Sequence, residues 1–131
     1  MISLAVEAGQ GLHRVEALAV LMGGDVSLCL AGGPGPHIGA AALAVPRGSL
    51  QENGRLSASA SVLCVTGHME DLLARRAALK IAAHLNRRVV VSAGLHLDDA
   101  GPEDIELLQA NSDRAVDLIL EKLQKETRGG D

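Results

Sequence analysis

Apolar and polar residues alternate through the first half of the chain and fall at helical spacing in the second. Ile2 to Glu7 alternates loosely and runs into the turn signal Gly9-Gln10-Gly11. From Leu12 to Met22, His13, Val15, Ala17, Ala19 and Leu21 share one face, which predicts a second strand. The paired glycines before Asp25 predict a hairpin into a third strand, where Val26, Leu28 and Leu30 alternate with Ser27 and Cys29. Gly32-Gly33-Pro34-Gly35-Pro36 predicts a loop, because no regular element tolerates that density of Gly and Pro. Ile38 to Val45 reads as a fourth strand ended by Pro46, and 46–55 as a polar connection turning at Asn53-Gly54. The fifth strand has the clearest alternation. Leu56, Ala58, Ala60, Val62 and Cys64 face one way, which places Cys64 in the core, and Ser57, Ser59 and Ser61 face the other.

The period then changes. From Met69, apolar residues at 69, 72, 73, 77, 81 and 85 form a helical stripe, with Arg75, Arg76, Lys80, Arg87 and Arg88 towards its end, where the helix dipole favours cations. Val89-Val90-Val91-Ser92-Ala93 predicts a strand buried on both faces. A second helix begins near Pro102, with Glu103, Asp104 and Glu106 in its first turn and a stripe of Ile105, Leu108, Ala115, Val116, Ile119 and Leu123.

Strands first and helices later predict an α+β fold: a mainly antiparallel six-stranded sheet built as a five-strand meander, helix, strand, helix, with two helices packed on one face. The pattern gives a single domain over 1–126 and a disordered tail over 127–131.

Composition narrows the function. The 131 residues are 47% hydrophobic, enough for a core, but contain no Phe, Trp or Tyr. That excludes aromatic base-stacking platforms and aromatic cages for cations. A formal net charge of -4, from 12 basic and 16 acidic residues, argues against nucleic acid as a partner. No apolar run reaches membrane-spanning length, no basic signal start is present, and Cys29 and Cys64 form no disulfide framework. A cytoplasmic protein with reduced thiols is expected, without a membrane partner. An Ala-rich core buries less area per residue than a Leu- or Phe-rich one, and the serine-faced strand at 56–65 suits a covered surface; both predict a homodimer.

Three stretches place His beside Gly at a predicted strand end: Pro36-His37-Ile38-Gly39-Ala40, Thr66-Gly67-His68-Met69-Glu70 and Gly94-Leu95-His96-Leu97-Asp98. Gly admits a close backbone approach, and His offers a ring, a donor and a titratable charge. Each has a plainer reading. His37 suits an exposed loop, Thr66 an ordinary N-cap, and His96 a structural pair with a nearby carboxylate. The same helix start at Gly67-His68-Met69 would present free N–H groups to a phosphate. His13 and His84 lack a glycine neighbour and read as structural. The alternative is an open metal site of His37, His68 and His96 with Asp98, in a small metal-dependent hydrolase or isomerase, but their spacing matches no metal motif. No GxSxG, GxGxxG or Walker pattern is present, so no catalytic residue is assigned.

Taken together, Gly23-Gly24-Asp25, PHIGA at 36–40, TGH at 66–68 and GLHLD at 94–98 resemble the small LpdD-type proteins, prenylated-flavin chaperones encoded beside UbiD-type decarboxylases. The resemblance implies an LpdD-like domain that binds prenylated FMN as cargo, and FMN itself, and helps activate a UbiD-type decarboxylase without being one. It implies a cofactor-binding set of His37, Ile38, Gly39, Thr66, Gly67, His68, Met69, Gly94, His96 and Asp98 around one cleft.

Overall fold

A computed structural model describes residues 1–50, 56–65 and 70–129. The elements run β1 (Ser3–Ala8), a short 3-10 turn (Gly11–His13), β2 (Val15–Met22), β3 (Asp25–Gly32), β4 (Ala40–Leu50), β5 (Leu56–Cys64), α1 (Glu70–Leu85), β6 (Val89–Leu95) and α2 (Pro102–Gly129). The class is α+β with six strands and two helices, as the change of period predicts.

The strand order is β1-β2-β3-β6-β4-β5. The last strand therefore interrupts the meander. It pairs parallel with β3, through Val26↔Val89 to Gly32↔Leu95, and antiparallel with β4, through Ala40↔Ala93 to Ala44↔Val89. β5 and β6 are both antiparallel to β4 and hence parallel to each other. A parallel return needs a long crossover, which α1 supplies with 16 residues lying across β4, β5 and β6. α2 covers β1 and β2 on the same side. β4 also runs through Pro46 rather than ending there. Ala44 is the last β4 residue with a β6 partner, so the missing proline N–H costs no bond on that side, and the pairing with β5 becomes irregular between Pro46 and Leu50.

The core fills the single layer between sheet and helices. Ala40, Ala42 and Ala44 of β4 and Ala74, Ala77, Ala78 and Ala82 of α1 are all buried, so small side chains on both partners let this helix lie close to the strand. Leu28, Leu30, Ile81, Ile119 and Leu123 supply the bulk. The α2 stripe holds at Leu108, Ala115, Val116, Ile119 and Leu123, but Ile105 is exposed and Ser112 is fully buried, its hydroxyl donating to the Leu108 carbonyl at 2.7 Å. α2 continues through Gly129, so 127–129 are helical where a tail is expected; 130–131 lie outside the described residues.

With both helices on one side, β6 is buried on one face only: Val89, Val91 and Ala93 point inward, while Val90 lies on the open side. Cys64 also departs from expectation. It is exposed at the end of β5, beside Asp71 in the first turn of α1, and Cys29 is exposed on the open face.

His13 is structural, as expected. Its Nε2 lies 2.7 Å from Asp104 Oδ1, tying the start of α2 to the 3-10 turn, and the Asn111 amide donates to the His13 carbonyl at 2.7 Å. The hydrogen bond from His13, and then the Gly101 backbone N–H, hold the Asp104 carboxyl below the usual carboxylate range. A carboxyl depressed in the folded state stabilises fully above its unfolded value, about 3.9, and loses that contribution as pH falls through the lower folded value. Denaturant unfolding followed by far-UV circular dichroism at about pH 5 and about pH 2 tests this: D104N is expected to lose less stability across the interval than the parent. Equal losses would leave the pair without weight.

Candidate functional site

The loop between β3 and β4 is laid over the end of β6. Gly94 belongs to the open side of the sheet, since it alternates with the buried Ala93. A Cβ there would stand 1.1 Å from the His37 carbonyl oxygen, so the His37 backbone occupies the space of the missing side chain. Gly33 does the same for His96, whose carbonyl would lie 2.1 Å from a Cβ; Gly33 also has φ +77°, which favours glycine. Backbone bonds fix the arrangement: His96 N–H to Gly32 O at 3.0 Å, Gly35 N–H to His96 O at 3.3 Å, and Gly39 N–H to Ala93 O at 2.9 Å.

These contacts bring the first and third His–Gly stretches together. The His37 and His96 rings meet edge to face with centroids 5.5 Å apart. His37 Nδ1 lies 3.2 Å from the Gly35 carbonyl, and His96 Nε2 lies 2.7 Å from Asp98 Oδ1. His96 therefore has the carboxylate partner expected of a structural histidine, yet it and His37 both remain open to solvent. Ile38, Gly39, Gly94 and Asp98 lie at this same rim.

Thr66, Gly67, His68 and Met69 lie outside the described residues. The described residues on either side of them both meet Gly39: Val65 N–H donates to the Gly39 carbonyl at 2.9 Å, and a Cβ on Gly39 would come 3.1 Å from the Glu70 carboxyl carbon. Glu70 is buried and Asp71 follows it, so the first turn of α1 already carries two acids. They partly satisfy the positive helix end credited to a phosphate.

Of the apolar part of the rim, sequence reasoning named Ile38 and missed Leu63 and Val65. Ile38, Leu63 and Val65 are exposed here; Leu63 and Val65 carry no glycine or histidine to mark them. A shallow pocket of about 240 Å³ adjoins the rim, lined by Arg14, Glu16, Ala31, Gly33, Pro34 and Pro36 among others. Arg14 is not a free anion site, since Glu7 and Glu16 both bind its guanidinium and hold its pKa up. The pocket is smaller than the roughly 300–1,000 Å³ of most small-molecule sites, so a flavin-sized ligand would rest on it rather than enter it. A larger hollow, about 760 Å³, lies between the helices on the far side and is lined by the paired charges Lys80 and Asp117; none of the described His–Gly residues reaches it.

Among the described residues no group of three His, Cys, Asp or Glu side chains is placed to hold a metal ion. The Cys64 thiol is pushed up from its ordinary pKa by local loss of water, although the residue is exposed, and then by Asp71 and Glu70, which disfavours a thiolate nucleophile. Two exposed imidazoles, bare glycine backbone and aliphatic side chains make up this shallow rim, which offers hydrogen-bonding edges beside apolar surface.

The chain belongs to the family of the prenylated flavin chaperone LpdD-like domain, whose model matches residues 9–124. A chain from the crystal structure of a chaperone complex for yeast 20S proteasome assembly has a similar fold, with a TM-score of 0.63 and 18% identity over 96% of this chain and 98% of that one. No curated protein sequence matches.

The dependence on Gly94 is testable. Gly94→Ala must displace the 33–39 loop, at a cost of about 1–3 kcal/mol or more. The expected NMR result is a shift of the His37 and His96 imidazole C–H resonances with that of His84 unmoved; unchanged His37 and His96 resonances would contradict the stacked loop.

Proposed function

We propose that this protein binds prenylated FMN as cargo at the His37–His96 rim and delivers it to a UbiD-type decarboxylase, helping to activate that enzyme without catalysing decarboxylation itself. The observation that carries the reading is the convergence of His37, Ile38, Gly39, Gly94, His96 and Asp98 at one rim in a chain of this family. The imidazoles can hydrogen-bond phosphate or ring heteroatoms, while Ile38, Leu63 and Val65 offer aliphatic surface to a ring system. Thr66, Gly67, His68 and Met69 complete the proposed set, since the described residues that flank them both meet Gly39. In this reading His68 contacts the phosphate, and backbone N–H groups at Gly67 and Met69 assist.

A shallow, open site with no aromatic stacking partner suits a carrier that must release what it holds. FMN would use the same contacts. The carrier is proposed to act in the cytoplasm, where a flavin-dependent partner enzyme resides, and as a homodimer. Among the described residues no helix is long and apolar enough to cross a membrane. The metal-dependent hydrolase or isomerase reading gains no support: His37 and His96 share no third ligating side chain among the described residues.

The test separates phosphate from ring. Loss of a charge-assisted hydrogen bond is worth roughly 1.5–3 kcal/mol, or about 10- to 150-fold in affinity. His68→Ala is therefore expected to weaken prenylated FMN by that factor and to leave its phosphate-free analogue nearly unchanged. Equal weakening of both would remove His68 from the phosphate.

A further inference from the structure

The register of the sheet places a wide, uncharged surface on the side away from the helices. Two successive rows of outward residues cross all six strands. One runs Ala5, Leu18, Cys29, Ser92, Ala41, Leu63; the next runs Ser3, Val20, Ser27, Val90, Leu43, Ser61. Neither contains a charged side chain. The charges stand outside them: Glu7 and Glu16, held by Arg14, beyond one row, and Asp25, held by Arg88, with the exposed Arg47 of β4 further on, beyond the other. Leu18, Met22, Leu43, Val45 and Leu63 are 43–78% exposed on this side. An antiparallel sheet that faces water ordinarily turns polar residues to that face.

Size and neutrality favour one occupant. Six strands at about 4.8 Å spacing, each about seven residues long at about 3.3 Å, present a face of roughly 24 by 23 Å. Allowing for the relief of the side chains, that approaches the roughly 800 Å² per partner of a standard interface. A self-pairing surface must be compatible with itself, and a central field with no charge meets its own copy without burying an unpaired ion. Larger side chains on β2 and β4 (Leu18, Val20, Met22, Leu43, Val45) flank mostly smaller ones on β3 and β6, so the face has relief for side chains from a second sheet to interdigitate.

We propose that two copies of this chain pair through their open sheet faces, giving the layer order helices, sheet, sheet, helices. The inference rests on the two-copy reading above and names its surface. It also explains the serine-faced strand, whose Ser59 and Ser61 lie at the margin of this face rather than at a separate site. The His37 loop, seated on Gly94 of the same face, then borders the partner subunit.

The experiment uses the full chain at about 5–200 µM. Light scattering is expected to give the mass of two copies, and the exposed Cys29 to react more slowly with a maleimide as concentration rises. Leu43→Asp is expected to give a monomer with unchanged far-UV circular dichroism and a Cys29 rate independent of concentration. Leu72→Asp, an exposed position on the helix side, is expected to stay paired. If Leu43→Asp fails to fold, the concentration dependence of Cys29 in the parent decides. A parent that is monomeric throughout, or a folded Leu43→Asp that stays paired, overturns the proposal. So does a monomeric parent whose Cys29 is shielded only when decarboxylase is added. A monomer that still retains prenylated flavin would overturn the pairing and leave the cargo reading intact.

Discussion

The His37 backbone lies where a side chain on Gly94 would stand, and the candidate site depends on that one exclusion. A residue of any size at Gly94 would lift the loop off the sheet. With the loop down, Gly39 N–H bonds Ala93 O and starts β4 beside β6, while Gly33 and Gly35 close around His96. The same contact sets the histidine rings edge to face and brings Gly39 to the point where Val65 and Glu70 meet it. Sheet closure and site assembly are thus one packing event at the end of β6.

A second constraint is the absence of aromatic residues. Alanines on β4 and α1 let the helix lie close to the sheet, and Leu, Ile and Val fill what remains. Such a core occupies one layer. It leaves the other face of the sheet uncovered, and it leaves the proposed cargo site without a stacking ring. The two consequences suit each other in the proposed function: an open rim on a shallow pocket would bind through edges and glycine backbone, and a ligand held that way could be passed on.

What the sequence made legible was local. Period-two and helical spacing located the six strands and two helices, and Gly beside His marked three stretches, of which the fold brings together those at His37 and His96, while Thr66 to Met69 lie outside the described residues. Position in the sheet was not legible. β6 enters between β3 and β4 because α1 carries the chain back over β4, and no alternation within residues 89–95 encodes that neighbour. The apparent two-sided burial of β6 followed from a run of valines, but Val90 faces the open side. Cys64 continues the inward alternation of β5 yet is exposed beside Asp71 at the start of α1, so pattern and burial part company at the strand end. Leu63 and Val65 join the rim only through the pairing of β5 with the start of β4. Ser112 interrupts a hydrophobic stripe and is buried all the same, because its hydroxyl is satisfied within its own helix turn.

Absorbance tests the central claim most directly, because a chain without Trp or Tyr contributes almost nothing above 280 nm. The protein is mixed with prenylated FMN under anaerobic conditions, desalted, and its near-UV and visible spectrum recorded beside a bound-metal analysis. The account predicts a flavin spectrum that travels with the protein and is lost on transfer to a UbiD-type decarboxylase. A colourless protein after desalting, at concentrations well above micromolar, would contradict it.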